Sequence, residues 1–324
     1  MEMGLSLRRC LVLPLSLAGL LLAPSALQAA APSPATTEAT KPAAAPAGVA
    51  VSPSAAPTNY PVPDDKPELT LHDSPEDALR AILQRADKDS GMPPRIVAFG
   101  EYHELKGNSG VPSALKRFST QLLAVLQPDL SDLVLETWVT EGNCGKQETA
   151  VVKDVQKTTK RPQTTESELV TLIKQARGLG VQPNILTLTC AEYQGLLDDK
   201  GAVDYEKMLK LLGDSLHKKI AQVRLRRAQA GINKIVAVYG GALHNDVFPS
   251  DELRPFSFAA ATELMFPGQY LEVDLYVPEF IARDASLAKE PWFDGYQKLQ
   301  KPGKTVVVRR GKSSFILLFP RFKR

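Results

Sequence analysis

Arg95-Ile-Val-Ala-Phe-Gly-Glu-Tyr-His-Glu104 is the stretch on which the reading of this chain turns. Ile96 to Phe99 is an apolar run of strand length, stopped by Gly100 and followed at once by Glu101, His103 and Glu104. Ionisable side chains crowded at the end of a buried strand are costly unless they are solvated, paired or used chemically. The same grammar returns in Lys234-Ile-Val-Ala-Val-Tyr-Gly-Gly-Ala-Leu-His-Asn-Asp246. Both segments read as a strand followed by Gly-x-x-His. Glycine there allows a sharp turn and a close approach to the backbone.

Around these strands the chain alternates helix and strand. Ser74-Pro-Glu-Asp opens a helix through Ala86, with Ser as N-cap, Pro at the first helical position and acids in the first turn. Pro112 to Leu126 is an amphipathic helix, and Asp132–Glu136 a strand expected beside Ile96–Phe99. A polar insert, Val139 to Thr164, precedes a helix from Thr165 that ends at Gly178-Leu-Gly180, and then strand Ile185–Thr189. Asp204 to Gln229 is a long helix. Strand Lys234–Tyr239, helix Pro255–Phe266 and strand Tyr270–Val277 follow. Thr305–Arg309 and Ser314–Phe319 close the chain as a hairpin through Gly311-Lys-Ser. This order predicts an α/β fold: a mostly parallel central sheet covered by helices, with a C-terminal antiparallel hairpin at its edge. In such sheets, sites form outside the carboxyl ends of the strands, where both Gly-x-x-His segments lie.

The domain occupies residues 66–324, roughly 260 residues, long enough for one substantial core. Residues 1–30 read as a signal peptide: Arg8 and Arg9, an apolar run from Leu11 to Leu22, and a small-residue cleavage site near Ala29/Ala30. The expected destination is periplasmic or extracellular. Residues 31–65 are rich in Ala and Pro, too poor in large apolar side chains to offset the entropy of ordering, and read as a disordered linker. Such a tether can associate the domain with an envelope. The 39 Lys+Arg against 36 Asp+Glu, with no basic–aromatic alternation, give no support to nucleic-acid binding. After removal of the leader, Cys144 and Cys190 remain, and in an oxidising compartment they are expected to form one disulfide.

Four histidines are present. His72 and His217 read as surface residues, whereas His103 and His244 each follow a buried strand through a glycine turn. Glu136 ends the strand Leu133-Val-Leu-Glu. If the strand ends converge, Glu101, His103, Glu136 and His244 supply two carboxylates and two imidazoles. That set can bind a divalent metal (Zn, Mn or Co) with an open position for water. It can equally work without metal, with His or Glu as general base for attack of water on a carbonyl. Neither H-E-x-x-H nor G-x-S-x-G occurs, so common zinc-protease and α/β-hydrolase readings lose support. Asn245 and Asp246 are secondary candidates for orienting His244. Glu272 and Asp274 share one strand face, which either serves the site or meets solvent.

Gly100-Glu-Tyr-His103 and Gly241-Ala-Leu-His244, with Glu136 after an apolar strand between them, resemble the superfamily of Tiki, TraB/PrgY, ChaN-like and erythromycin-esterase-like proteins. The resemblance spans Ile96 to Asp246 in motif order and implies an α/β core with both motifs facing one cavity. Tiki-like members are membrane-associated, metal-dependent proteases, erythromycin-esterase-like members hydrolyse a lactone with His and Glu, and ChaN-like members are exported haem-binding proteins. By matching position, Glu101, His103, Glu136 and His244 correspond to the family's motif residues. For a haem-binding role, Tyr102 and Tyr193 are the candidate ligands. The run after His103, Glu-Leu-Lys-Gly-Asn-Ser, departs from the Asp-Asn-Pro expected of ChaN-like members. The resulting expectation is an exported hydrolase-like domain that cleaves an amide or ester. The alternatives are a haem- or iron-binding protein without turnover and a catalytically degenerate envelope protein.

Overall fold

Ser74 shows how local chemistry sets the first helix. Its hydroxyl accepts the Asp77 N–H at 3.1 Å, Pro75 occupies the first turn, and helix α1 (Pro75–Ser90) ends at Gly91 in the left-handed region, φ 74°. The computed structural model describes residues 62–104, 110–141, 144, 155, 162, 164–282 and 284–322. The leader, nearly all of the linker and most of the polar insert lie outside the described residues.

Eight strands form one sheet in the order β1-β7-β8-β6-β2-β5-β3-β4. They are β1 (Glu68–His72), β2 (Ile96–Glu101), β3 (Leu130–Glu141), β4 (Gln182–Thr189), β5 (Ile235–Gly241), β6 (Tyr270–Tyr276), β7 (Thr305–Gly311) and β8 (Ser314–Leu318). From β8 to β4 every neighbouring pair is parallel, and β7 runs against the rest, pairing antiparallel with β8 on one side and with β1 on the other. The mostly parallel α/β sheet with a C-terminal hairpin is therefore present. Its hairpin is more deeply built in than an edge feature, because β8 pairs in parallel with β6. The edge belongs to β1, a short strand that the sequence reading passed over.

Alternate residues feed two cores. Val97, Phe99, Leu133, Leu135 and Tyr239 face one side, with α1 and helix α2 (Thr164–Gly178). Ile96, Ala98, Val134 and Val238 face the other, against the long helix Tyr205–Gln229. Strands buried on both faces explain the unbroken apolar runs.

Several boundaries differ from expectation. Helix 112–126 is interrupted by a π-turn, Phe118–Leu122, and 255–266 divides into a 3₁₀ turn, Arg254–Phe256, and helix Ala259–Met265. Strand β3 runs to Glu141, well into the presumed insert, and β4 begins at Gln182. Most consequentially, β3 is not beside β2: β5 lies between them. Within β3 the register against β4 jumps from Leu135↔Ile185 to Trp138↔Leu186, leaving Glu136 and Thr137 as a two-residue bulge.

Cys144 and Cys190 are joined by a disulfide, with Cα atoms 5.1 Å apart, tying the start of the insert to the end of β4. In the chain-entropy model, closing a loop of 46 residues is worth about 4 kcal/mol. Replacing both cysteines by serine is expected to lower the unfolding free energy by about 2–4 kcal/mol in urea titrations.

Candidate functional site

The two Gly-x-x-His segments meet, because β2 and β5 are parallel neighbours. Gly100 pairs with Gly240 and Glu101 with Gly241, and the Ala242 N–H donates to the Glu101 carbonyl at 3.2 Å. The alignment is offset by one residue from the motif spacing: the first histidine comes three residues after its aligned glycine, the second four. Side chains alternate along a strand, and the carboxylates separate accordingly. Glu101 shares the face of Phe99 and Tyr239, whereas Glu136 shares the face of Gly240. Among the four predicted residues Glu101 meets His103 and Glu136 meets His244, giving two carboxylate–imidazole pairs.

In the first pair the Glu101 Oε1 is 2.7 Å from His103 Nδ1, and its Oε2 accepts the Tyr239 hydroxyl at 2.5 Å. Glu101 is 1% and His103 3% exposed. An N–H on Nδ1 toward Glu101 leaves the Nε2 lone pair as the ring's basic site. Tyr239 is a partner that the sequence reading missed. Its signal was an aromatic hydroxyl two residues before Gly241, on the face that Glu101 shares.

The second pair is built on the bulge. Beyond Leu135 the chain of β3 leaves β5, and Glu136 Oε2 accepts the Gly241 N–H at 2.7 Å. His244 Nδ1 donates to the Phe256 carbonyl at 2.7 Å, which turns Nε2 toward Glu136 Oε1, 3.7 Å away. Two acceptors facing each other at that distance are compatible only if one carries a proton or a polar atom bridges them. Phe256 can approach because residue 213 of the long helix is glycine: a Cβ there would stand 2.6 Å from the Phe256 carbonyl oxygen. The glycines of the strands work the same way. A Cβ on Gly240 would collide with the Glu136 carboxylate, and one on Gly100 with the Asn245 amide and, at 2.7 Å, with Ala242 Cα.

Asn245 and Asp246 hold the turn after β5. In one amide orientation Asn245 Nδ2 donates to the Ala98 carbonyl and to Asp274 Oδ1, both at 3.3 Å. Turned over, it donates to Ala242 O at 3.0 Å and accepts from Gly100 N–H at 3.2 Å. Tyr270 donates to the Asn245 carbonyl at 2.7 Å, and the Val247 N–H to Glu272 Oε2 at 3.1 Å. Glu272 and Asp274 face neither solvent nor an open site: both are buried beside Arg310, which also reaches Asp246 at 3.3 Å. One guanidinium cannot neutralise three carboxylates. Burial pushes the Glu272 carboxyl well above its ordinary value, Arg310 pulls it back, and Asp274 and Asp246 push it up again. The three carboxylates are legible as candidates in the sequence, but their common partner Arg310 is not, since it lies at the far end of the chain in a hairpin strand.

The remaining candidates have other partners. Tyr102 OH donates to Asp284 Oδ2 at 2.5 Å. Burial raises the Asp284 carboxyl, but hydrogen bonds from Ser286 and Tyr102 outweigh it and hold the group below its usual range. Tyr193 OH accepts the Trp138 indole N–H at 2.5 Å, in the core on the opposite side of the sheet from Tyr102. His72 is half-buried on β1. His217 is half-buried too, its Nδ1 3.2 Å from Thr262 Oγ1, and burial lowers the pKa of both rings. Among the described residues, no three His, Cys, Asp or Glu side chains are grouped so as to hold a metal ion. As arranged, Glu101, His103, Glu136 and His244 do not fit a three-donor metal set.

Comparisons with protein-family models, curated proteins and solved structures return no match to this chain. The resemblance therefore rests on its motifs.

Two outcomes are expected. Gly240→Ala forces Glu136 off its seat and should cost about 1–3 kcal/mol in chemical denaturation, as overpacking of a filled core does. The raised Glu272 pKa predicts a pH dependence with a definite sign. A carboxyl whose folded pKa lies above its unfolded value stabilises fully below about 4.5, and that contribution is lost as pH rises through the folded value. Glu272→Gln should flatten this fall in stability with rising pH, measured by urea midpoints across the range.

Proposed function

We propose that this chain is a hydrolase of ester or amide bonds that works by acid–base catalysis at the carboxyl edge of β2. The observation that carries the reading is the buried Glu101–His103 contact of 2.7 Å, with Tyr239 fixing the other carboxylate oxygen. A base oriented by a third group is the arrangement that general-base catalysis requires. In this scheme Glu101 orients the ring and stabilises the imidazolium, and His103 Nε2 takes a proton from the attacking water. The Glu136–His244 pair, on the bulge of β3 and the turn after β5, supplies a second acid for the leaving group. The motif resemblance to erythromycin-esterase-like proteins, which use His and Glu, agrees with this assignment. No step is routed through a metal, since among the described residues no three such donors are grouped to hold one. Export, followed by action in the periplasm or outside the cell, belongs to the same proposal and rests on the leader sequence.

A panel of p-nitrophenyl esters, lactones and peptide amides tests it. His103→Ala and Glu101→Gln are expected to lower kcat/KM on the best substrate by about 10²–10⁴-fold, and activity should survive EDTA. Unchanged turnover in both variants would sink the assignment. Activity abolished by EDTA and restored by Zn, Mn or Co would replace it with a metal-dependent one.

A further inference from the structure

A cavity of about 320 Å³ lies away from both carboxylate–imidazole pairs, at the ends of β6 and β8. It opens between helix Phe293–Leu299, the turn before β7 and the segment that leaves β8. Its body is aromatic: Tyr296, Phe319 and Phe322 line it. Phe322 is 43% exposed, an aromatic ring left half in water beside an apolar hollow. The mouth is cationic, with Lys301, Lys304 and Arg321. Lys304 pairs with Asp73, and Arg321 Nε donates to Gln300 Oε1 at 3.1 Å. Among the described residues Lys301 and Arg321 enter no ion pair, and no carboxylate lines the cavity.

We propose that this cavity binds a small organic acid: an apolar body, aliphatic or aromatic, ending in one carboxylate. The size is right for such a ligand, near the lower end of small-molecule sites and about twice the hollow that accepts a benzene ring. The apolar body would cover the exposed face of Phe322 and lie against Tyr296 and Phe319. The carboxylate would lie at the mouth between Lys301 and Arg321, where two cations compensate its partial loss of water. Tyr296 keeps its proton, because burial, opposed by Arg321 and aided by Glu279, pushes its phenol up to about 12, and its hydroxyl donates to Gln300 Oε1 at 3.4 Å, so it adds no negative charge to the cavity. This site stands on its own lining residues and does not depend on the hydrolase reading.

The test is calorimetric titration of the full chain with octanoate and with 2-naphthoate, each against its neutral alcohol. One saturable site is expected for at least one acid, with the matching alcohol binding at least tenfold more weakly. Raising the salt concentration should weaken the acid. Lys301→Glu together with Arg321→Glu, both surface changes, should reduce acid affinity at least tenfold. If thermal melting shows that the double variant is destabilised, Lys301→Ala is read in the same titration, with a smaller loss expected. NMR shifts on adding the acid should centre on Tyr296 and Phe322. Absence of saturable binding by either acid, equal binding of acid and alcohol, indifference to the charge changes, or shifts centred elsewhere would each overturn the proposal.

Discussion

The parallel pairing of Gly100 with Gly240 is the constraint on which the centre of this molecule depends. Two adjacent strands present bare backbone at the same level, and that floor admits two polar side chains a Cβ would exclude. Glu136 lies over one glycine and Asn245 over the other. Glu136 takes the Gly241 N–H, and Asn245 meets the Ala98 carbonyl and Asp274 in one amide orientation or the Ala242 carbonyl and Gly100 N–H in the other. Buried polar groups are tolerated when they are hydrogen-bonded, and the glycines make those bonds sterically available. The same pairing fixes the offset of the two histidines, so the division of the ionisable groups between faces follows from register.

How much of this was legible in the sequence follows from the range of each interaction. The apolar runs of β2, β3 and β5 announced buried parallel strands, since period-free hydrophobicity over a few residues reflects burial on both faces. Glycine followed by histidine marked where those strands end. Strand order was not legible: β3 and β5 are both apolar, and nothing in Leu133-Val-Leu or Ile235-Val-Ala states which one touches β2. Nor was the one-residue offset, because the Gly-Gly of β5 permits either glycine to align with Gly100. Tyr239 and Phe256 were missed for a related reason. Each acts through a single atom, a hydroxyl or a carbonyl, whose usefulness depends on a partner more than a hundred residues away or on a turn of the following loop.

Arg310 shows how distant residues support the second motif. Its guanidinium sits 5.5 Å over the Phe248 ring and is shared among Asp246, Glu272 and Asp274. Through Asp246 and the Val247 N–H this cluster anchors the segment immediately after His244. A buried charge cluster is seldom a net source of stability, but removing one member leaves the others uncompensated, so its geometry is strongly enforced. The hairpin β7–β8 thereby contributes to the position of a histidine in the turn after β5, a strand two places beyond β8's own neighbour in the sheet.

The bulge in β3 has an arithmetical property. Inside and outside alternate with every residue of a strand, so one extra residue would exchange the two faces of everything downstream. Glu136 and Thr137 are an even insertion. Trp138 therefore still lands in the core beside Leu186, as if the chain had run straight from Leu135. The carboxylate occupies a detour that the remainder of the strand does not register. In this protein the reactive-looking acid and the scaffold that carries it are separable, and a chain of the same architecture can be imagined that closes the detour and keeps every other side chain on its own side of the sheet.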